Sequence, residues 1–238
     1  MIPLATTQSV LAAGAACVAA YFVAPSLSCK AFSRSVWRQT GRPGKLLLTF
    51  DDGPDPRYTP ALLDLLGEWG VPACFFVVGE NAAACPDLIR RMTAEGHEVG
   101  IHSYRHENAR FRRPSFAGAD LEQSLAALRE LGAEPRYYRP PWGNCNPFTL
   151  YEARARGLET VLWSVMAQDW ERGATPRRTA QRLLGRVGSS SIICLHDRSM
   201  GKSADDTAPG RTIQALRLAL PALQRAGFTF ILPEEMAR

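Results

Sequence analysis

The sequence predicts an α/β fold, a distorted (β/α) barrel with about seven parallel strands. Short apolar runs alternate with amphipathic stretches from Lys45 to the end of the chain, the pattern that parallel β/α architecture produces. The conspicuous polar residues each lie at or just past the end of an apolar run, and the C-terminal strand ends of a β/α barrel are where its sites are built. The length of 238 residues, with 46% hydrophobic and 21% charged content, suits one domain with a full core.

The expected strands are LLLTF (46–50), ACFFVV (73–78), EVGI (98–101), RYY (136–138), TVLWSV (160–165), SIICL (191–195) and FTFIL (228–232). They are short and often rich in β-branched or aromatic residues. Helical spacing of apolar residues marks 59–70, 86–96, 115–132 and 175–188. The last opens on Thr175-Pro176, an N-cap followed by proline at the first helical position. Pro221 interrupts the final helical stretch and predicts a kink or a fresh start there. No internal repeat and no second domain are evident.

The chain before Lys45 reads differently. Residues 2–27 carry no charge, and Val10 to Ala24 is apolar and Ala-rich. A run of that length reaches the roughly 20 residues of a bilayer crossing. Residues 1–28 are therefore expected to form a membrane anchor or a signal peptide, with Ser26-Leu27-Ser28 as a small-residue cleavage site. Lys30, Arg34, Arg38, Arg42 and Lys45 follow. By the positive-inside rule they would keep the main domain in the cytoplasm. Residues 29–44 are expected to be a linker, and 45–238 the main folded domain.

Net charge is +5. The basic residues are dispersed and carry no nucleic-acid motif, so nucleic acid is not an expected partner. The six cysteines form no C-x-x-C pair, which argues against a cysteine zinc knuckle. Cys74 and Cys194 lie in apolar runs and read as buried small hydrophobes.

Asp51 and Asp52 follow LLLTF, His102 follows EVGI, Arg139 follows RYY, Asp169 falls just past TVLWSV, and His196 follows SIICL. Of two adjacent carboxylates on a turn, one can bind a cation while the other remains a base. His102 and His106 are four apart, a spacing that puts both on one face of a helical turn and lets them grip one metal. One Asp and two His leave coordination positions open, as catalytic sites do. The set also resembles a non-haem iron triad, but no feature points to an oxygenase co-substrate. His196 on the same rim reads as an acid/base group. Pro140 and Pro141 fix the backbone that aims Arg139 and Trp142, and an arginine near a carboxylate holds it ionised. Asp169-Trp170 adds a carboxylate and an aromatic wall suited to a sugar face. There is no G-x-S-x-G elbow. The Gly-Lys at 44–45 lacks the other P-loop residues, and no G-x-G-x-x-G run occurs.

These residues resemble the polysaccharide deacetylase family, the carbohydrate esterases that share the NodB homology domain. The resemblance covers roughly Lys45 to Pro233, with five motifs in order: Thr49-Phe50-Asp51-Asp52-Gly53-Pro54, His102-Ser103-Tyr104-Arg105-His106, Arg139-Pro140-Pro141-Trp142-Gly143, Asp169-Trp170 and Leu195-His196-Asp197. It implies a NodB-like barrel and a divalent metal held by Asp52, His102 and His106, usually zinc, with cobalt or manganese also accepted. It implies Asp51 as general base, Arg139 orienting it, His196 as general acid and Asp169 tuning that acid. Trp142, Trp170 and Leu195 would bind substrate, with a backbone N–H near Trp142 helping to hold an oxyanion. The implied reaction is removal of acetyl groups from the N-acetylated sugars of peptidoglycan, chitin-like or other envelope glycans, in the cell envelope. The fourth motif departs from the usual Asp-x-x-Asp-Trp, because Met166 stands where the first aspartate belongs. The competing expectations are an O-acetyl esterase or cyclic-amide hydrolase on the same site, and a non-catalytic glycan-binding domain.

Overall fold

The structure, a computed structural model, describes residues 12–14, 35–109, 112, 114–200 and 205–237. All but three residues of the expected hydrophobic segment 1–28 lie outside the described residues. Among the described residues, no helix is long and apolar enough to cross a membrane.

The strands are β1 Val36–Trp37, β2 Lys45–Asp51, β3 Cys74–Val77, β4 Glu98–Ile101, β5 Tyr137–Tyr138, β6 Glu159–Val161, β7 Val165–Met166, β8 Ile192–His196 and β9 Thr229–Phe230. They pair in parallel in the order β1-β6-β5-β4-β3-β2-β8-β7, with β9 added beside the start of β2. The helices are α1 Thr59–Trp69, α2 Gly79–Ala84, α3 Pro86–Ala94, α4 Pro114–Glu130, α5 Pro147–Ala155, α6 Pro176–Arg186 and α7 Ala208–Arg225.

The distortion of the barrel has one source. The run expected as a single strand, TVLWSV, is split. Its first part, β6, pairs with β5, and its second part, β7, pairs with β8 near the far end of the sheet order. Only Leu162 to Ser164 separate the two halves, so one short segment meets both ends of the curled sheet and no helix fits between them. Residues 36–40, inside the stretch expected as a linker, lace this seam. Leu162 N–H donates to the Trp37 carbonyl (2.8 Å), and Thr40 N–H donates to the Ser190 carbonyl (2.8 Å).

Side chains alternate across each strand, which sorts them into two populations. Leu46, Leu48, Phe50, Phe75, Val77, Ile193 and Leu195 pack in the main core with the helices. Leu47, Cys74, Phe76, Tyr137, Val161 and Ile192 form a second cluster in the barrel interior. Continuing that parity along β2 and β8 puts Thr49, Asp51, Cys194 and His196 on the inner side, at the C-terminal rim.

Helix ends follow the sequence signals. Thr175 caps α6 by accepting from Arg178 N–H, with Pro176 in the first turn. Asn146 and Thr149 form a capping box on α5. Helix α7 runs through Pro221 as one element, so no fresh start occurs there. The buried face of that helix, including Leu216, Ala219, Leu220 and Leu223, supplies packing that offsets the lost hydrogen bond.

Candidate active site

At the rim, Asp52, His102 and His106 converge. Asp52 Oδ1 lies 3.4 Å from His102 Nε2 and 3.2 Å from His106 Nε2. The local route to this arrangement is not the helical turn that the four-residue spacing predicts. Residues 102–106 form a bent loop, with Ser103 at φ 73° and His106 at φ 54°. Helix α2, directly after β3, holds that loop. The N–H groups of Gly79 and Glu80 donate to the carbonyls of Ser103 and Tyr104. Gly79 is required there, because a Cβ would meet the Tyr104 ring at 2.4 Å. Asp120 of α4 accepts from the Tyr104 N–H (3.0 Å) and the Ser103 hydroxyl (3.3 Å). Asn81 donates to the Asp52 carbonyl (2.8 Å).

Among the described residues, positive φ outside glycine occurs at Asp52, Ser103, His106, Trp142 and Gln168. Each belongs to the site or is next to a residue that does. Such backbone conformations cost free energy and persist only where the surroundings enforce them.

The donors suit a divalent cation. The ligand atoms of the three residues lie within 4.8 Å of one another. His102 Nδ1 sits 2.7 Å from the Arg139 carbonyl, a contact that makes Nδ1 the donor and leaves Nε2 free to bind a metal. Burial alone would raise the Asp52 carboxyl, but its contacts with the His102 and His106 side chains outweigh it and hold the group far below the usual carboxylate range.

Beside this triad stands Asp51, with both oxygens engaged. Arg139 Nη1 donates to Oδ1 at 2.6 Å, and the Cys194 thiol lies 3.4 Å from Oδ2. Arg139 is fully buried (0% exposed). It also donates to the Thr49 hydroxyl and to the carbonyls of Val161 and Leu162. Its guanidinium lies 4.1 Å from the Phe76 ring centroid. The arginine thus plugs the barrel beneath Asp51 with its donors satisfied.

On the opposite side, Asp169 Oδ1 contacts His196 Nδ1 at 3.1 Å, while Oδ2 accepts from the His196 N–H and the Thr212 hydroxyl. Burial works against the charged imidazole, but the Asp169 carboxylate, with further pull from Asp52 and Asp51, pushes His196 up to about 10. Asp197 lies beneath the Gly53 turn, hydrogen-bonded by Thr59 (2.6 Å), and burial pushes its carboxyl up to about 7. A Cβ on Gly53 would sit 2.2 Å from both Asp197 oxygens.

The cavity over these groups measures about 370 Å³ and is lined by Asp51, Asp52, His102, His106, Asp169 and His196, with Trp142, Trp163, Met166, Trp170 and Arg198 among its walls. The Trp142 ring lies 4.4 Å from His106 and the Trp170 ring 5.1 Å from His196, between centroids. Of the expected site residues, Leu195 alone is placed elsewhere. It is 1% exposed and packs in the helix-side core, because strand parity turns it away from its neighbours Cys194 and His196. Sequence reasoning missed Cys194, Thr212, Asp120 and the α2 amides. Only Cys194 carried a signal, its even spacing from His196 on one strand.

A polysaccharide deacetylase family model matches residues 38–161. The chain belongs to the polysaccharide deacetylase family. It is 38% identical over 187 residues to a chitooligosaccharide deacetylase of Bradyrhizobium, covering 76% of this chain and 85% of that one. A peptidoglycan N-acetylglucosamine deacetylase, solved in complex with 4-naphthalen-1-yl-N-oxidanyl-benzamide, superposes with a TM-score of 0.77 at 30% identity, covering 84% and 91% of the two chains. A family 4 acetyl xylan esterase from Clostridium thermocellum, in complex with a cobalt ion, gives a TM-score of 0.71 at 30% identity, covering 80% and 89%. These family members bear out the expected barrel.

Proposed function

We propose that the protein is a metal-dependent hydrolase that removes acetyl groups from the N-acetylated sugars of a polysaccharide or oligosaccharide, peptidoglycan or chitin-like. The observation that carries this reading is the pairing of two separate functions in one cavity. The set Asp52, His102 and His106 can hold a cation, while Asp51 and His196 flank it as a base and an acid with independent supports.

Asp52, His102 and His106 would hold the ion, zinc being the first expectation for one carboxylate and two imidazoles, with cobalt or manganese also fitting. When bound, a divalent ion there supplies Lewis acidity, lowering the pKa of water and polarising the acetamide carbonyl. Asp51 takes the proton of the attacking water. Arg139 fixes the carboxylate through Oδ1, so Oδ2, whose partner is the weakly donating Cys194 thiol, is the oxygen that works as base. His196, charged and aligned by Asp169, delivers a proton to the departing sugar nitrogen. Trp142 and Trp170 offer apolar faces on which a sugar ring can stack, and a backbone N–H near Trp142 would help hold the oxyanion. The products are acetate and a free amino sugar. No covalent intermediate is needed.

Met166 in the cavity wall, where the family's fourth motif usually carries aspartate, makes this wall less acidic. An O-acetyl ester is the second reading, favoured by the likeness to an acetyl xylan esterase. Acetate release from N-acetylglucosamine oligomers, peptidoglycan and acetylated xylan separates the two. Release from the N-acetyl substrates supports the leading reading, and release from xylan alone contradicts it. With such substrates the domain would work in the cell envelope, membrane-anchored or secreted through residues 1–28. Fractionation of cells carrying a tagged full chain tests that placement, and a purely cytoplasmic signal would overturn it.

A further inference from the structure

We propose that Asp51, Cys194 and His196 form a second site, for a thiophilic divalent cation, and that filling it inhibits the enzyme. Strand register brings the three together. Asp51 of β2 is the direct partner of His196 on β8, and Cys194 lies two residues earlier on the same side of β8. Their ligand atoms all lie within 4.8 Å of one another. Ligand distances of roughly 2.0–2.3 Å about tetrahedral zinc require donors to stand about 3.3–3.7 Å apart. The thiol and Asp51 Oδ2, at 3.4 Å, already meet that spacing.

Each donor presents a lone pair once Cys194 and His196 have given up their protons. Asp51 uses Oδ1 for Arg139, which leaves Oδ2. His196 has Nδ1 engaged by Asp169, the carboxylate partner that ligating histidines commonly have. The sulfur decides the class of ion. Thiolate with imidazole selects zinc, cobalt or cadmium over magnesium or calcium. On binding, the Cys194 S–H bond and the His196 Nε2–H bond both break, sulfur and nitrogen donate their electron pairs to the cation, and the two protons leave to solvent. The Arg139 guanidinium beside Asp51 opposes a cation here, so this site fills after the Asp52 site. The ion then occupies the base and the acid together. This inhibitory consequence rests on the function proposed above, whereas the binding itself does not.

The test is a cobalt titration of the metal-stripped full chain, following near-ultraviolet absorption and acetate release together. One equivalent activates. Further cobalt inhibits and brings in a thiolate-to-cobalt charge-transfer band. Cys194→Ala and Cys194→Ser, each normalised to its own one-equivalent activity, lose the band and need about tenfold more free cobalt or greater for half-inhibition, as loss of a ligand interaction demands. The proposal is overturned if wild type shows no such band as inhibition sets in, or if both variants are inhibited at the wild-type concentration. Absence of acetate release at every cobalt level would count against the deacetylase reading, while the absorption band would still decide the second site.

Discussion

At the residue scale, the site separates positioning from chemistry. Asp51→Asn keeps the shape of the proposed base and removes its proton affinity. It is expected to lower kcat by about 10²–10⁴, the range for loss of a general base, with the cation affinity of the chain retained. An equal loss of metal binding, measured by equilibrium dialysis, would show that Asp51 is a primary ligand instead. Arg139 is buried with its donors satisfied, and Asp51 is its charge partner. Arg139→Ala leaves that carboxylate buried and unpaired, so unfolding in denaturant should become easier by about 3–5 kcal/mol. His196 carries a pH signature. Its charged form is stabilised in the folded metal-free chain, so this contribution is complete below its ordinary 6.5 and is lost as pH rises through about 10. Thermal melts of metal-free wild type should therefore fall more steeply across that window than melts of Asp169→Asn. Parallel slopes would remove the His196–Asp169 pair as the cause.

At the scale of elements, much was legible because the rim residues sit at fixed distances from strand ends. LLLTF, EVGI and SIICL each place their polar follower where the chain leaves the sheet, and the structure bears out those strands. Two kinds of feature were not legible. TVLWSV looks like one strand, and only the curl of the whole sheet forces it to divide between two partners. The His102 to His106 spacing fits a helical turn, but the loop bends because α2 amides and Asp120 hold its carbonyls and amides, contacts between segments far apart in sequence. By contrast, Leu195 could have been placed from parity alone, since an inward His196 requires an outward neighbour. Helix α5 also had a signal, because Asn146-Pro147 repeats the Thr175-Pro176 start. Asn146→Ala should cost about 1 kcal/mol of stability through the lost cap, read as a lower midpoint in urea at unchanged slope. A changed slope instead would mean that α5 unfolds separately.

At the scale of the whole molecule, the fold and the site answer one requirement. A parallel barrel brings strand ends from distant parts of the chain to one rim, and the seam at Leu162 to Ser164 lets the carbonyls of Val161 and Leu162 reach the Arg139 guanidinium. The proposed function therefore requires one cation held by Asp52, His102 and His106 beneath a sugar-sized cavity. The most direct test strips the metal from residues 29–238, adds zinc stepwise, and measures acetate released from N-acetylglucosamine oligomers beside His102→Ala and Asp52→Ala. The expected result is no activity without metal, recovery complete at one bound zinc per chain, and loss of both high-affinity binding and turnover in the two variants. Full turnover by the metal-free protein, or unchanged zinc binding in both variants, would contradict it.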